Sequence, residues 1–320
     1  MPLSEFDLIR RYFQDATPLS DDVCCGIGDD AAIVRVPAGN DLVLAMDTLV
    51  AGVHFPTDTL PADIGYKSLA VNLSDLAAMG ADPCWITLSL TLPEADENWL
   101  QSFMDGFGQL AREYRLGLVG GDTTRGPLSI TIQVHGLVPE GQALKREGAR
   151  PGDRVYISGH PGDAALALDI INGNVSDVND QQMAYLLARF NRPTPRLELG
   201  RSLRGIASSA VDISDGLDAD LGHILEAGAV GADMQLAQLP LSAALQALPA
   251  DRAWQLALSG GDDYELCFTV PEANVAEIDA LSLPDCPLFF IGTISEETGQ
   301  RWWGPDGNKF KLSDTGYCHF

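Results

Sequence analysis

The sequence predicts a protein of mixed α/β (α+β) class with two domains, in which mixed sheets are flanked by helices. Three observations predict this fold class. Apolar segments of strand length alternate with helical patterns in both halves of the chain. The 320 residues are enough for two domains of ordinary size. A turn-rich segment, residues 146–153, separates the two halves immediately before a new strand.

The first half begins with an amphipathic helical pattern over residues 3–16. Strands bounded by Gly, Pro or Asp are predicted at 31–36, 42–46, 84–92 and 129–138. Helices are predicted at 61–80 and 96–115. We place the domain boundary at about residue 148, which gives an N-terminal domain of residues 1–148 and a C-terminal domain of residues 149–320.

The second half opens with a strand at 154–158, a glycine turn and an alanine- and leucine-rich helix. Further strands are predicted at 208–213, 264–270 and 288–294. Further helices are predicted at 216–228, 240–247 and 272–281.

Composition and charge exclude several classes of function. The net charge of −25 disfavours nucleic-acid binding, because an acidic surface repels a phosphate backbone. No apolar run reaches the length of a membrane span, and the first residues lack the pattern of a secretory signal. The six cysteines form no CxxC pair, which indicates free thiols in a reducing compartment. We therefore expect a cytoplasmic protein.

Aspartates recur beside glycine or hydroxyl residues, and the pattern places each group at the end of an apolar strand. The six groups are residues 28–30 (GDD), 46–48 (MDT), 72–75 (NLSD), 120–124 (GGDTT), 212–216 (DISDG) and 260–265 (GGDDYE). Any one of them is ordinary turn or helix-cap chemistry. Together they predict a site for Mg²⁺, which prefers hard oxygen ligands and keeps substrate phosphates in its shell.

The usual nucleotide-binding signatures are absent from the sequence: it has no Walker A motif, no protein-kinase motif set and no GxGxxG after the first strand. Phosphate would then be held by metal ions, by backbone N–H groups at glycine turns and by a few cations. The candidate cations are Lys67, Arg125, Lys145 and Arg146. Arg146 is favoured, because a guanidinium makes bidentate contacts with phosphate. These features predict a magnesium-dependent, ATP-using phosphotransferase.

Taken in order, the motifs resemble those of the thiamine-monophosphate kinase family. Its superfamily includes aminoimidazole ribonucleotide synthetase, selenophosphate synthetase and a hydrogenase maturation protein. The matching segments are residues 26–32, 47–55, 70–81, 120–127, 212–217 and 259–266. The resemblance extends from about residue 4 to the C-terminus. Segments 47–55 (DTLVAGVHF) and 260–266 (GGDDYEL) single out this family within the superfamily.

The resemblance implies an aminoimidazole ribonucleotide synthetase-like fold and a homodimer formed through the N-terminal domains. It also implies transfer of the γ-phosphoryl group of ATP to thiamine monophosphate, a step of thiamine diphosphate biosynthesis. The acceptor is a phosphate oxygen that is already anionic near neutral pH, so no general base is needed. Two alternatives stay open: another ATP-dependent enzyme of the superfamily, or a non-catalytic regulator that binds Mg²⁺ and nucleotide.

The resemblance also implies roles for individual residues. The Mg²⁺ ligands would be Asp30, Asp47, Asp75, Asp122, Asp212 and Asp215. Ala45 and Met46 would complete this set; the family usually has a hydroxyl residue at one or both of these positions, so this chain can offer only main-chain carbonyls there. The residues that contact ATP would be Gly121, Asp122, Arg146 and Ser214. The residues that hold the thiamine phosphate would be His54, Glu265 and Tyr317, with the Glu265 carboxylate matching the positive thiamine ring.

Overall fold

The computed structural model describes residues 5–175, 178–313 and 316, and the chain divides into two compact units. Unit 1 comprises Met1–Leu76 and Ala81–Gly141, and unit 2 comprises Ala77–Gly80 and Gln142–Phe320. The chain passes from unit 1 to unit 2 after Gly141, a few residues before the boundary predicted at residue 148. The reason is that the carbonyl of Lys145 accepts a hydrogen bond from the amide of Ala210 (2.9 Å), which pairs this stretch with unit 2.

Among its described residues, unit 1 contains a short N-terminal helical segment, two long helices and six strands. The helices are α1 (Glu5–Leu8), α2 (Pro61–Ala78) and α3 (Glu97–Glu113), and a π-helical turn (Ile9–Phe13) follows α1. The strands are β1 (Val23–Cys25), β2 (Ile33–Val34), β3 (Asn40–Val50), β4 (Asp82–Leu92), β5 (Gly117–Arg125) and β6 (Ser129–Pro139). The strands predicted at 31–36, 42–46, 84–92 and 129–138 and the helices predicted at 61–80 and 96–115 are confirmed, whereas β1 and β5 were not predicted. The helix predicted at 3–16 is confirmed only in part, because α1 and the π-helical turn end at Phe13 and residues 3 and 4 lie outside the described residues.

The main sheet of unit 1 has the strand order β3-β6-β4-β5, and β1 and β2 form a separate antiparallel pair. β6 runs antiparallel to both of its neighbours, and β4 and β5 are parallel. Alternate β6 residues such as Ile130, Ile132 and Val134 are buried, and Gly136 on the same face lies against Leu76 of α2. The helices therefore cover this face of the sheet.

The opposite face of this sheet carries exposed apolar residues on β3. Leu42, Leu44 and Met46 alternate along the strand and are 41%, 54% and 62% exposed. Gln133 and His135 of β6 lie opposite Met46 and Leu44 and are half-buried. A large apolar residue on a solvated sheet face is ordinary when isolated, but three in a row form a continuous apolar stripe.

Unit 2 contains seven α-helices, two short 3₁₀ helices (Leu236–Gln238 and Glu272–Asn274) and six strands among its described residues. The helices are α4 (Asp163–Ile171), α5 (Asp180–Asn191), α6 (Leu197–Ser202), α7 (Leu217–Gly228), α8 (Ala243–Gln246), α9 (Ala250–Ser259) and α10 (Val275–Ala280). The strands are β7 (Arg154–Ser158), β8 (Ser209–Ile213), β9 (Gly231–Gln235), β10 (Glu265–Val270), β11 (Leu288–Ser295) and β12 (Gly299–Trp303). Helices α5, α6 and α9 and strands β9 and β12 were not predicted.

The six strands of unit 2 form one sheet with the order β12-β9-β11-β7-β10-β8. Neighbouring strands are antiparallel except for β12 and β9, which are parallel. Every residue of β8 and β10 is buried, as expected for strands packed on both faces. Across the central strands, the ring of Tyr156 stacks on Phe268 (centroids 5.7 Å apart) and meets the edge of Phe290 (5.8 Å).

Two further features bear on the class of protein. Among the residues that the structure describes, no helix is both long enough and apolar enough to span a membrane. The five described cysteines are free thiols, as predicted, and Cys318 lies outside the described residues.

Candidate active site

Several of the acidic motifs lie inside regular elements, so the prediction that each follows a strand is wrong for them. Asp47 lies within β3, Asp122 within β5 and Asp75 within α2. The Gly-Gly-Asp sequence of β5 is typical of a turn, but its parallel pairing with β4 draws it into the sheet. Tertiary pairing overrides local propensity in such segments.

One cavity of unit 1 brings three of the predicted site residues together. It has a volume of about 1040 Å³, and Asp30, Gly121 and Asp122 all line it. Its wall also includes Ile9 and Phe13 of the π-helical turn. All three predicted residues are exposed, so their polar groups face a space large enough for a nucleotide-sized ligand.

Gly121 cannot be replaced without moving the neighbouring strand. Its φ is +153°, and a Cβ built on it would overlap the carbonyl of Leu88 on β4. The pairing of β4 and β5 is irregular between Ile86 and Thr87, at the same level of the sheet. Glycine therefore allows the close strand approach that places the adjacent Asp122 at the cavity.

A second group of predicted residues in unit 1 is organised by Asn72 of α2. The Asp47 amide donates to Asn72 Oδ1 (2.9 Å), and Asn72 Nδ2 donates to the Ser68 carbonyl (2.9 Å). Asn72 is completely buried and lies three residues before Asp75, on the same face of the helix. It holds β3 at Asp47 against the helix that carries Asp75, a role that the motif NLSD did not reveal.

The contact at Asn72 also distinguishes the carbonyls of Ala45 and Met46. The N–H and C=O of one residue point to the same side of a strand, and the side alternates along the chain. Because the Asp47 amide faces Asn72, the Ala45 carbonyl points to the same open edge of β3. Met46 pairs with Gln133, so its carbonyl is directed to β6. Only the Ala45 carbonyl is well placed as a ligand.

His54 lies in the turn that follows β3 and is half-buried. Its Nδ1 accepts a hydrogen bond from the Val50 amide (3.0 Å), and its own amide donates to the Val50 carbonyl (3.0 Å). A neutral ring in this arrangement carries its proton on Nε2. The histidine is thus held rigidly, with a defined donor atom.

The candidate cations are placed very differently from one another. Lys67 is only 2% exposed within α2, and Arg125 Nε donates to the Pro93 carbonyl (3.2 Å). Lys145 pairs with Glu147 (3.1 Å) at the surface of unit 2. Arg146 is exposed in the same turn, which suits the phosphate contact predicted for it.

In unit 2, the Asp-Ile-Ser-Asp-Gly loop is shaped by Asp220, which the sequence analysis missed. Asp220 Oδ2 accepts hydrogen bonds from the amides of Ser214 (2.9 Å), Asp215 (3.0 Å) and Gly216 (3.2 Å). Burial, and then the nearby Asp212 carboxylate, raise the pKa of Asp220 to about 7. Asp212 is 6% exposed at the end of β8, whereas Ser214 and Asp215 are half-buried. The sequence signal for this role is the position of Asp220, four residues after Gly216.

The Gly-Gly-Asp-Asp-Tyr loop packs on the same segment of unit 2. The amides of Asp262 and Tyr264 donate to the carbonyls of Ser214 and Ile213, both at 2.8 Å. Both donors have left-handed backbone angles, φ +69° for Asp262 and +52° for Tyr264. The Tyr264 hydroxyl donates to Asp262 Oδ1 (2.9 Å). Non-glycine residues with left-handed backbone angles are uncommon and often mark functional sites.

Asp263, between them, is completely buried and closes the N-terminus of α4. Its Oδ2 accepts from the Gly162 amide (2.6 Å) and its Oδ1 from the Ala164 amide (3.4 Å). Burial raises the pKa of Asp263 well above its usual value, against the effect of these amides and of Arg189. The carboxyl group fills the position that an external anion would take at a helix N-terminus.

Glu265, predicted to hold the thiamine ring, is completely buried at the start of β10. Arg196 binds its carboxylate through two nitrogens (both 2.6 Å), and Arg189 Nη2 donates to Oε1 (2.8 Å). Ser158 Oγ donates to Oε2. Although burial opposes ionisation, the two guanidiniums hold the pKa of Glu265 below its usual value. The carboxylate faces protein cations rather than solvent, which does not support a direct substrate contact.

Tyr317, the third predicted substrate residue, lies outside the described residues. The neighbouring Gly316 is described, and a Cβ on it would be 2.8 Å from the Asp215 carbonyl. Among the described residues, no group of three His, Cys, Asp or Glu side chains converges closely enough to hold a metal ion by itself. Mg²⁺ usually binds through one or two carboxylates, completed by water and substrate phosphates, so smaller groups remain suitable.

Comparisons with known proteins agree along the whole chain. Residues 28–138 match the family described as AIR synthase related protein, N-terminal domain, and residues 150–303 match its C-terminal counterpart. The chain is 49% identical to thiamine-monophosphate kinase of Escherichia coli K12 over 322 residues, covering 100% of this chain and 99% of the relative.

Solved structures give the same result. The crystal structure of thiamine-monophosphate kinase from Stenotrophomonas maltophilia K279a is 47% identical, with a TM-score of 0.87 and coverage of 97% of this chain and 99% of that chain. AaThiL complexed with AMPPCP and TMP is 30% identical, with a TM-score of 0.77 and coverage of 100% and 99%. The predicted aminoimidazole ribonucleotide synthetase-like fold is confirmed, and the chain belongs to the thiamine-monophosphate kinase family.

Proposed function

We propose that this protein transfers the γ-phosphoryl group of ATP to thiamine monophosphate and releases thiamine diphosphate and ADP. The observation that carries the proposal is the unit 1 cavity, where Asp30, Gly121 and Asp122 meet in a member of this kinase family. The relative AaThiL has been solved with AMPPCP and TMP, an ATP analogue and the acceptor named for the family. ATP is therefore the phosphoryl donor and thiamine monophosphate the acceptor.

The residues of unit 1 fit Mg²⁺ by the chemistry of their donors. Asp47, whose amide binds Asn72, and Asp75, three residues after Asn72 on α2, offer carboxylates, and the Ala45 carbonyl points to the same edge of β3. Asp30 and Asp122 offer two more carboxylates at the cavity. All are hard oxygen donors. Asp212 and Asp215 of unit 2 remain predicted ligands. When bound, Mg²⁺ would neutralise phosphate charge.

The transfer requires little acid–base chemistry from the protein. A phosphate oxygen of thiamine monophosphate forms the new bond to the γ-phosphorus, and the bond from that phosphorus to the β–γ bridging oxygen breaks. The acceptor is anionic near neutral pH, so no residue has to remove a proton. What the side chains supply is position and electrostatic stabilisation.

The ATP contacts divide into those supported by geometry and those that remain predictions. Gly121 and Asp122 line the cavity of unit 1. The amide of Ser214 is already bound to Asp220, so the Ser214 hydroxyl is the group left to meet a phosphate oxygen. Arg146 is exposed and supplies a guanidinium suited to phosphate.

For the thiamine phosphate, we propose contacts from His54 and from Asp262, with Tyr317 as a further predicted contact. The Nδ1 of His54 accepts from the Val50 amide, so a neutral ring carries its proton on Nε2. Asp262 is half-buried rather than buried, and its carboxylate is held by the Tyr264 hydroxyl. It is better placed than Glu265 to offset the positive charge of the thiamine ring.

The homodimer that the resemblance implies is supported by the open face of the unit 1 sheet. Leu42, Leu44 and Met46 form an exposed apolar stripe on β3, at the edge of that sheet. A second copy of the same face would bury this stripe in an isologous interface. A cytoplasmic location is proposed from the free cysteines and from the use of ATP.

The deciding experiment is ADP release from Mg-ATP with thiamine monophosphate as acceptor. Thiamine, aminoimidazole precursors and selenide serve as control acceptors. Turnover with thiamine monophosphate alone, abolished by EDTA, is the expected result. Turnover with another acceptor would indicate a different enzyme of the superfamily. Nucleotide binding without ADP release from any acceptor would indicate a non-catalytic regulator.

A further inference from the structure

A buried ionic network in unit 2 lies directly behind the loop that carries Asp262. Its centre is the Glu265 carboxylate, bound by Arg189, Arg196 and Ser158. The side chains of Arg189 and Arg196 are only 13% and 10% exposed, and that of Glu265 is 1% exposed. The network is therefore largely withdrawn from solvent.

Arg189 is the member of the network that reaches the loop itself. Its Nη2 donates both to Glu265 Oε1 (2.8 Å) and to the carbonyl oxygen of Asp263 (3.1 Å). It therefore links the main-chain carbonyl before Tyr264 to the side chain of the residue after it, and the φ of Tyr264 is +52°. Left-handed angles at non-glycine residues persist only where the surroundings enforce them. The hydrogen bond from Arg189 to the Asp263 carbonyl helps to hold Tyr264 in this conformation.

Tyr264 continues the connection to Asp262. With its backbone held in the left-handed conformation, its hydroxyl reaches Asp262 Oδ1 at 2.9 Å. The same backbone sends the Tyr264 amide to the Ile213 carbonyl (2.8 Å) and the Asp262 amide to the Ser214 carbonyl (2.8 Å). The orientation of the Asp262 carboxylate is thus set by a chain of contacts that starts at Arg189.

We propose that Arg189 and Tyr264 are positioning residues that determine the affinity for thiamine monophosphate by fixing the carboxylate of Asp262. This inference rests on the proposed function, because it assigns Asp262 to the cationic thiamine ring. In this assignment neither residue would contact the reacting phosphates. Their loss should therefore weaken binding of the acceptor more than it slows phosphoryl transfer.

The test is steady-state kinetics of Arg189→Gln and Tyr264→Phe with each substrate varied in turn. We expect the KM for thiamine monophosphate to rise about tenfold in R189Q and about threefold in Y264F, as the loss of one or two hydrogen bonds implies. The kcat and the KM for Mg-ATP should change by less than about twofold. Arg252→Gln is the matched control, because Arg252 pairs with Asp169 at the surface and has no contact with the loop.

A double-mutant cycle with Asp262→Asn separates positioning from general structural damage. If Arg189 and Tyr264 act through Asp262, neither R189Q nor Y264F should raise the KM further in the D262N background. Additive effects in that background, or equal losses for both substrates, would overturn the inference. Y264F removes a single hydroxyl, so it gives a clear result even if R189Q fails to fold. Absence of wild-type turnover would instead contradict the proposed function.

Discussion

Replacement of Glu265 by glutamine tests whether this residue acts on the fold or on the substrate. The glutamine has nearly the shape of glutamate but carries no charge. In the wild type, the carboxylate receives two contacts from Arg196, one from Arg189 and one from Ser158. After replacement, the amide oxygen can still accept, but the amide nitrogen faces groups that are themselves donors.

The expected loss of stability follows from the burial of the network. Removing one partner of a buried ion pair costs about 3–5 kcal/mol, because the remaining charge is left uncompensated. We expect a value near the lower end, about 3 kcal/mol, because both arginines retain slight exposure and one acceptor oxygen remains. The variant should therefore be markedly less stable than the wild type.

The measurement is urea denaturation of wild type and Glu265→Gln at pH 7. Glu272→Gln is the matched control, since Glu272 binds Arg154 through two nitrogens (both 2.8 Å) but is 69% exposed. An exposed pair contributes less than about 1 kcal/mol, so the control should be nearly neutral. Wild-type stability of E265Q, combined with a raised KM for thiamine monophosphate, would refute our interpretation and restore Glu265 as a substrate contact.

The pH dependence gives an independent check with a defined sign. The pKa of Glu265 is lowered in the folded protein, so the unfolded chain binds its proton more readily. The stabilisation is then fully present above the ordinary value of 4.5 and is lost as the pH falls through the lowered pKa. The difference between wild type and E265Q should be constant near neutrality and shrink below pH 4.5.

Three further predictions concern the metal site and the sheet face. Asp75→Asn should abolish turnover while stability is kept or raised, because like-charge repulsion falls; near-normal rates would exclude Asp75 as a metal ligand. Millimolar Mg²⁺ should raise the melting temperature of the wild type by about 2–4 °C, and an identical melting curve in EDTA would argue against a preformed site. Leu44→Asp should shift the protein from dimer to monomer in light scattering, since Leu44 is 54% exposed on the apolar stripe; an unchanged mass would place any interface elsewhere.

Local patterns predicted the elements whose signal is continuous along the chain. The alternation of apolar and polar residues predicted β6, and every second residue of this strand is buried. The amphipathic helix α3 was predicted within two residues of its observed ends, Glu97–Glu113. The sequence was misleading where pairing partners are distant, because the glycines of β5 are typical of a turn until β4 is placed beside them.

The candidate site could be predicted only as far as its side chains carry their own chemistry. Asp30 and Asp122 were identifiable as carboxylates, although their meeting at one cavity depends on the fold. Asn72 and Asp220 act by binding backbone amides, so no composition or spacing rule singled them out. The burial of Glu265 was invisible because Arg189 and Arg196 lie 76 and 69 residues away in sequence.

The contact of Asp263 with the N-terminus of α4 affects which anions unit 2 can bind. A strand, a glycine turn and a helix form a natural trap for loose anions such as inorganic phosphate. Here the chain supplies the occupant from within, on the amides of Gly162 and Ala164. An open helix N-terminus beside the Asp262 loop would bind such anions in competition with a phosphate-bearing substrate. Because the Asp263 carboxyl group already binds these amides, we expect unit 2 not to bind free phosphate at the N-terminus of α4.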